Sequence, residues 1–274
     1  MYAIKSDGRF KARLVAKGFT QKYGVDFDET FAPTLKMSTF RMILSQSVTL
    51  GLSLVHMDVV TAFLNGFLNE EIYLRIPKNM QNDSNRNSVF KLNKALYGLK
   101  QASRQWFLRF HLFILTLGFK QSEVDPCLYK RVTASGTTLL AIYVDDLLIA
   151  SNSDKDSIDL QTSLSAEFSM KTLGFPKMFL GVQIAQSTKG LIIFQQDLID
   201  RILLRFKMQH VTVQSTSMDS KQSFSKLMDE SARFNGPYRQ VGCLQYLVTC
   251  TRPDLATSVS ILAQYTNGST VAHW

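Results

Sequence analysis

The chain has 274 residues, 45% of them hydrophobic, with 31 basic against 22 acidic side chains and a formal charge of +9. That is long and apolar enough to bury a substantial core and to divide into subdomains, and the basic excess suits a phosphate-rich partner whose binding weakens as salt rises. No apolar run approaches a membrane span, the N-terminus lacks a signal-peptide profile, and the three cysteines show neither a disulfide framework nor zinc spacing. These features predict a soluble intracellular protein with no membrane partner.

In chain order, the N-terminal stretch alternates about a hairpin tip expected at Ser6-Asp7-Gly8. A helix is predicted after Ser38, with Phe40, Ile43, Leu44 and Val48 on one face and Gly51 closing it. It feeds an apolar strand ending at Asp58, followed by small residues compatible with a helix. Asn79 to Ser88 is polar and turn-rich and reads as a loop between strands. From Ser103 to Leu117 a stripe of Trp106, Phe107, Phe110, Phe113, Ile114 and Leu117 predicts a helix packed on the core.

A further helix is predicted after Ser153, carrying Ile158, Leu160, Leu164 and Phe168. Beyond it come a turn at Lys189-Gly190, a strand from Leu191 to Phe194, and a helix containing Leu198, Ile199, Ile202, Leu203 and Phe206. Gln214 to Ser225 reads as a linker, and helices are expected at Tyr238 to Val248 and Pro253 to Tyr265. Strands that alternate with packed helices predict an α+β fold.

The richest stretch is Ala141-Ile142-Tyr143-Val144-Asp145-Asp146-Leu147-Leu148-Ile149-Ala150. Two adjacent ionised groups are costly in so apolar a run unless a cation compensates them, and a divalent metal is the simplest compensator. The segment reads as a β-hairpin with arms Leu139 to Ile142 and Leu147 to Ala150 and both aspartates at its tip; a plain polar turn is the alternative reading. Asp58, at its own strand end, supplies a third carboxylate. Asp58, Asp145 and Asp146 together suit a two-metal phosphoryl-transfer site, whose ions stand roughly 3.5–4 Å apart.

Several ordered motifs then converge on one family. The Tyr-x-Asp-Asp hairpin, the segment Asp58-Val59-Val60-Thr61-Ala62-Phe63-Leu64-Asn65-Gly66 and the run from Leu96-Tyr97-Gly98-Leu99 to Trp106 resemble the reverse transcriptase of copia-type long-terminal-repeat retrotransposons. So do Lys11 to Phe19, Asp125-Pro126-Cys127, Phe179-Leu180-Gly181 and Thr251-Arg252-Pro253-Asp254, and the likeness spans essentially the whole chain. It implies a right-hand polymerase architecture of fingers, palm and thumb with a carboxylate-bearing antiparallel palm sheet. Residues 1–190 would form fingers and palm, 191–225 a thumb-like segment and linker, and 226–274 the start of a connection towards ribonuclease H.

The resemblance also implies roles. Asp58, Asp145 and Asp146 are the metal-binding catalytic acids, with the Val59 carbonyl assisting and two Mg2+ ions, or Mn2+ in their place, as cofactors. Lys11 and Arg13 grip the incoming triphosphate, by point charge and by bidentate contact respectively. Phe63 crowds the sugar 2′ position to favour deoxynucleotides, and Tyr97 and Gly98 pack near the nascent base pair, where glycine admits close backbone approach. Phe179, Leu180 and Gly181 form the primer grip, and Lys171 is a candidate proton donor to pyrophosphate.

The partners implied are an RNA or DNA template with its primer and deoxynucleoside triphosphates, in a cytoplasmic particle or the nucleus. Departures from the usual pattern are Val60 in place of a frequent lysine, Ser103 where proline is common, Met178 where an aromatic is common, and a stretch before Asp58 one residue short. With its abrupt start and its end at Trp274, the chain reads as a piece of a polyprotein, with a catalytically inactive remnant as the alternative. A palm-type nucleotide cyclase would need a Gly-Gly-acid-acid-Phe hairpin, which the sequence lacks.

Overall fold

The computed structural model describes residues 2–4, 8, 10–82, 88–219, 234, 236 and 238–273, and the chain divides into two compact units, Met1–Pro176 and Lys177–Trp274. In the first unit, β1 (Tyr2–Ile4) pairs antiparallel with β2 (Phe10–Ala12). Of the expected tip, Ser6 and Asp7 lie outside the described residues. Helix α1 (Met37–Thr49) buries Phe40, Ile43 and Leu44 as predicted, but Val48 is half exposed. At 100° per residue Ser47, seven positions after Phe40, falls on the centre of that stripe, whereas Val48 falls on its flank. Ser47 is buried at no cost to its hydroxyl, which donates to the Leu44 carbonyl at 2.7 Å.

The chain turns at Gly51 into β3 (Ser53–Val59), passes a 3-10 turn at Ala62–Asn65, and forms the antiparallel pair β4 (Phe67–Arg75) and β5 (Val89–Lys94). The small residues after Asp58 therefore make a single tight turn rather than a helix. The predicted loop falls between β4 and β5, with residues 83–87 outside the described set. Next come α2 (Ala102–Thr116), β6 (Lys120–Gln121), β7 (Leu128–Val132), β8 (Thr137–Tyr143), β9 (Asp146–Ser151), α3 (Asp154–Glu167) and β10 (Met170–Gly174).

These strands form an antiparallel sheet in the order β10-β3-β9-β8-β7-β6. The continuous apolar runs of β8 and β9 take its interior, where Leu140, Ala141, Leu147, Leu148, Ile149 and Ala150 are wholly buried. Helix α2 covers the face that carries Tyr129, with Phe110 edge-on to that ring at 6.2 Å and Trp106 edge-on to Phe168 at 5.1 Å. Each such pair adds about 0.5–1.5 kcal/mol beyond its buried area. Helix α3 opens on Ser153, whose side chain accepts from the Asp156 N–H, and Asp154 and Asp156 sit in its first turn where the helix dipole favours them. Within α3, Leu160 and Leu164 are buried together with Asp156 and Ser157, and Ile158 is exposed.

The second unit holds β11 (Met178–Phe179), β12 (Val182–Ser187) and β13 (Gly190–Phe194) in one antiparallel sheet, then α4 (Gln196–Arg205), α5 (Cys243–Cys250) and α6 (Ala256–Ala263). The two C-terminal helices each begin with a 3-10 turn, at Tyr238–Gly242 and Pro253–Leu255. No residue of α4 is buried. The predicted linker has no regular structure from Gln214 to Asp219, and the rest of it lies outside the described residues. The fold is a mixture of helices and antiparallel sheets, as the α+β reading requires.

Candidate active site

Period-two alternation along β3 puts His56 and Asp58 on one face, with Met57 and Val59 on the other. Asp58 stands in register with Asp146 of β9, Asp146 with Tyr143 of β8, and Lys171 of β10 with Asp58. One row across four strands therefore reads Lys171, Asp58, Asp146, Tyr143. Sequence reasoning places both hairpin aspartates at the tip. The structure instead makes Asp146 the first residue of β9 and leaves Val144-Asp145 as the two-residue turn.

That turn requires Val144 at φ 56°, a left-handed conformation that costs a non-glycine residue roughly 1–2 kcal/mol. Three bonds hold it. The Trp106 indole Nε1–H donates to the Val144 carbonyl at 2.6 Å, the Val59 N–H to the Asp145 carbonyl at 2.7 Å, and His56 Nε2 lies 2.8 Å from Asp146 Oδ1. An ionised carboxylate only accepts, so in that state His56 carries the proton on Nε2. His56 is a site residue that sequence reasoning misses. Its signal was present: two positions before Asp58 on an alternating strand, it had to share the aspartate's face.

Asp58, Asp145 and Asp146 are each half-buried at one end of the sheet. Carboxylate and carbonyl oxygens are the hard donors that Mg2+ takes. Among the described residues no three His, Cys, Asp or Glu side chains converge enough to hold an ion alone.

A second group forms around Tyr97. The Arg13 guanidinium carbon lies 5.1 Å from the centre of the Tyr97 ring, and Phe63, on the 3-10 turn after Asp58, is 5.0 Å from the same ring. The Ala16 N–H donates to the Tyr97 carbonyl at 2.7 Å, and Gly98 has φ 92°, with a Cβ placed there only 2.2 Å from the Ala16 carbonyl oxygen. The close approach at Gly98 is thus made by the chain's own Ala16–Gly18 segment. Arg13, Phe63, Tyr97 and Gly98 are brought together. Lys11 lies on β2 in register with Ala3, and its side chain is outside the described residues.

In the second unit, Phe179 ends β11 and pairs with Val182, and Leu180 and Gly181 form the two-residue turn into β12, at φ 50° and 70°. Phe179 is buried in that unit's core, and the Tyr246 hydroxyl donates to the Leu180 carbonyl. Back in the first unit, a cleft of about 320 Å3 runs past Val144 and Trp106, with Phe31, Pro33, Phe107 and Cys127 among its walls. Burial, reinforced by the Asp125 charge, pushes the Cys127 thiol up to about 12, so this cysteine is no nucleophile.

The family model for reverse transcriptase (RNA-dependent DNA polymerase) matches residues 2–220. The Retrovirus-related Pol polyprotein from transposon TNT 1-94 of Nicotiana tabacum is 38% identical across all of this chain and 22% of its own length. The corresponding polyprotein from transposon RE2 of Arabidopsis thaliana is 36% identical over 99% of this chain and 19% of its own. A putative transposon Ty5-1 protein of Saccharomyces cerevisiae is 33% identical over 76% of this chain and 68% of its own length. The chain spans about a fifth of the plant polyproteins it matches. With an acid-bearing hairpin set against the Asp58 strand and a family match over most of its length, the chain belongs to the reverse transcriptase family, in its copia-type retrotransposon branch.

Proposed function

We propose that the chain performs RNA-directed DNA synthesis, adding deoxynucleotides to a primer by a two-metal mechanism. The observation that carries this is the register of Asp58 against Asp146, with Asp145 in the turn beside them tied by its carbonyl to Val59. Bound divalent ions would activate the primer 3′-hydroxyl and stabilise the leaving pyrophosphate. Asp58, Asp145 and Asp146, with the Val59 carbonyl, would hold them, and His56 fixes the direction of the Asp146 carboxylate. Phe63, braced by Tyr97, excludes a 2′-hydroxyl by bulk. Arg13 and Lys11 pair with the triphosphate, Lys171 donates a proton to pyrophosphate, and Phe179 to Gly181 position the primer end. On this reading residues 1–190 are fingers and palm, 191–225 thumb-like segment and linker, and 226–274 the start of the connection.

The test is primer extension on poly(rA)/oligo(dT) with Mg2+. Incorporation should be lost in Asp58→Asn and Asp145→Asn while thermal unfolding is unchanged, and an active Asp145→Asn variant would sink the assignment. A second reading, a remnant that binds nucleic acid without catalysis, is favoured by the lack of three converging ligands among the described residues. It predicts salt-sensitive binding of template-primer with no incorporation.

A further inference from the structure

Of the three bonds that hold the Val144-Asp145-Asp146 turn, two come from the adjacent strand β3. The third comes from a helix. Trp106 is 1% exposed, fixed between Phe110 at 5.7 Å and Phe168 at 5.1 Å, and its indole N–H reaches 2.6 Å to the Val144 carbonyl. We propose that Trp106 is a positioning residue of the polymerising site: its indole N–H clamps the left-handed Val144 peptide and so sets the direction in which Asp145 is presented. The proposal rests on the polymerase reading above.

The Val144 carbonyl belongs to the rigid peptide plane that joins Val144 to Asp145, so fixing that oxygen fixes ψ of Val144 and φ of Asp145 together. Glycine or asparagine would occupy the left-handed region unaided, but a β-branched valine persists there only where its surroundings over-determine it. Of the apolar aromatic side chains that could fill this place in α2, only tryptophan brings a ring N–H; phenylalanine would keep the contacts with Phe110 and Phe168 and lose the bond. Packing alone therefore accounts for an aromatic at this position, and the clamp accounts for an indole.

The experiment is a double-mutant cycle of Trp106→Phe and Val144→Gly, read both by thermal midpoint and by single-turnover nucleotide incorporation. Trp106→Phe should lower the midpoint by several degrees and the incorporation rate on the order of tenfold, with the deoxynucleotide KM unchanged. Because glycine removes the φ penalty, Val144→Gly in the Trp106→Phe background should recover most of the midpoint loss. A Trp106→Phe penalty that is the same with valine or glycine at 144 would reduce the indole to core filling and overturn the clamp. If Trp106→Phe fails to fold, the wild-type indole N–H decides by NMR: slow exchange, accelerated in Val144→Gly, supports the clamp, and exchange at the solvent rate overturns it. A wild-type chain that incorporates nothing would overturn the polymerase reading, while the coupling of midpoints still settles the clamp.

Discussion

The molecule carries two tight hairpins built on one plan in different surroundings. In β8–β9 and in β11–β12, a non-glycine residue at the turn adopts a left-handed φ, 56° at Val144 and 50° at Leu180. In each the strained residue's carbonyl accepts from an aromatic side chain, the Trp106 indole in one and the Tyr246 hydroxyl in the other. The difference is burial. Both arms of the first hairpin lie inside a wide sheet and its clamp is 1% exposed; in the second unit Met178 and Ile192 are exposed and Tyr246 is 41% exposed. The bond from the buried indole is shielded on its donor side, whereas the exposed Tyr246 hydroxyl can exchange its bond for water. Two of the three proposed acids, Asp145 and Asp146, stand on the first hairpin and the proposed primer grip on the second. Fixed geometry suits reacting atoms, and give suits a strand that must advance.

Substitutions in the sheets that carry the two hairpins should show the contrast most strongly. Ile149→Ala, at a fully buried site in β9, is expected to cost about 2–5 kcal/mol by urea unfolding, and Ile193→Ala in β13, at a half-buried site, under about 2 kcal/mol. Equal losses would erase the distinction. At the far end of β8, the Thr133 hydroxyl donates to Asp156 at 2.6 Å and, as the main cause, holds that carboxyl below its ordinary range. A depressed folded pKa contributes stability above the ordinary carboxylate range and loses it as pH falls through the folded value. Thr133→Val should therefore be less stable than wild type near neutrality, with the gap closing on acidification; a gap that widens in acid would have the sign wrong.

Tyr246→Phe comes next, expected to cost only about 0.5–1 kcal/mol because the Leu180 carbonyl can turn to water. A loss as large as that from Trp106→Phe would break the comparison. Smallest is a chemical difference: at pH 8 a thiol reagent should label half-buried Cys243 while Cys127, buried and pushed up to about 12, stays unmodified until the fold opens. Rapid native labelling of Cys127 would show that the cleft beside Val144 opens readily.

What was legible in the sequence follows from which residues obey simple hydropathy. The arms Leu139 to Ile142 and Leu147 to Ala150 are continuous apolar runs, and both are strands; the Trp106, Phe110 and Ile114 stripe is a buried helix face. Errors arose where polar residues took inward positions after satisfying their own hydrogen bonds. Ser47 displaced Val48 on the buried face of α1. The placement of Asp146 on β9 rather than at the tip was not legible, because turn length depends on a left-handed valine whose carbonyl meets a side chain 38 positions away. His56 was missed for a different reason: histidine alone is a weak signal, and its meaning came from a strand partner 90 positions away.

The register of β3 constrains how chains of this kind can gain or lose residues. A single insertion or deletion between Ser53 and Asp58 would exchange the two faces of the strand, bringing Met57 or Val59 respectively to where Asp58 now meets Asp146. The connection Leu50–Leu52, where α1 ends and the chain turns at Gly51 before any pairing begins, carries no such constraint. Length can change at that joint without moving Asp58 off its face, while within the strand a single lost residue would take Asp58 out of register with Asp146.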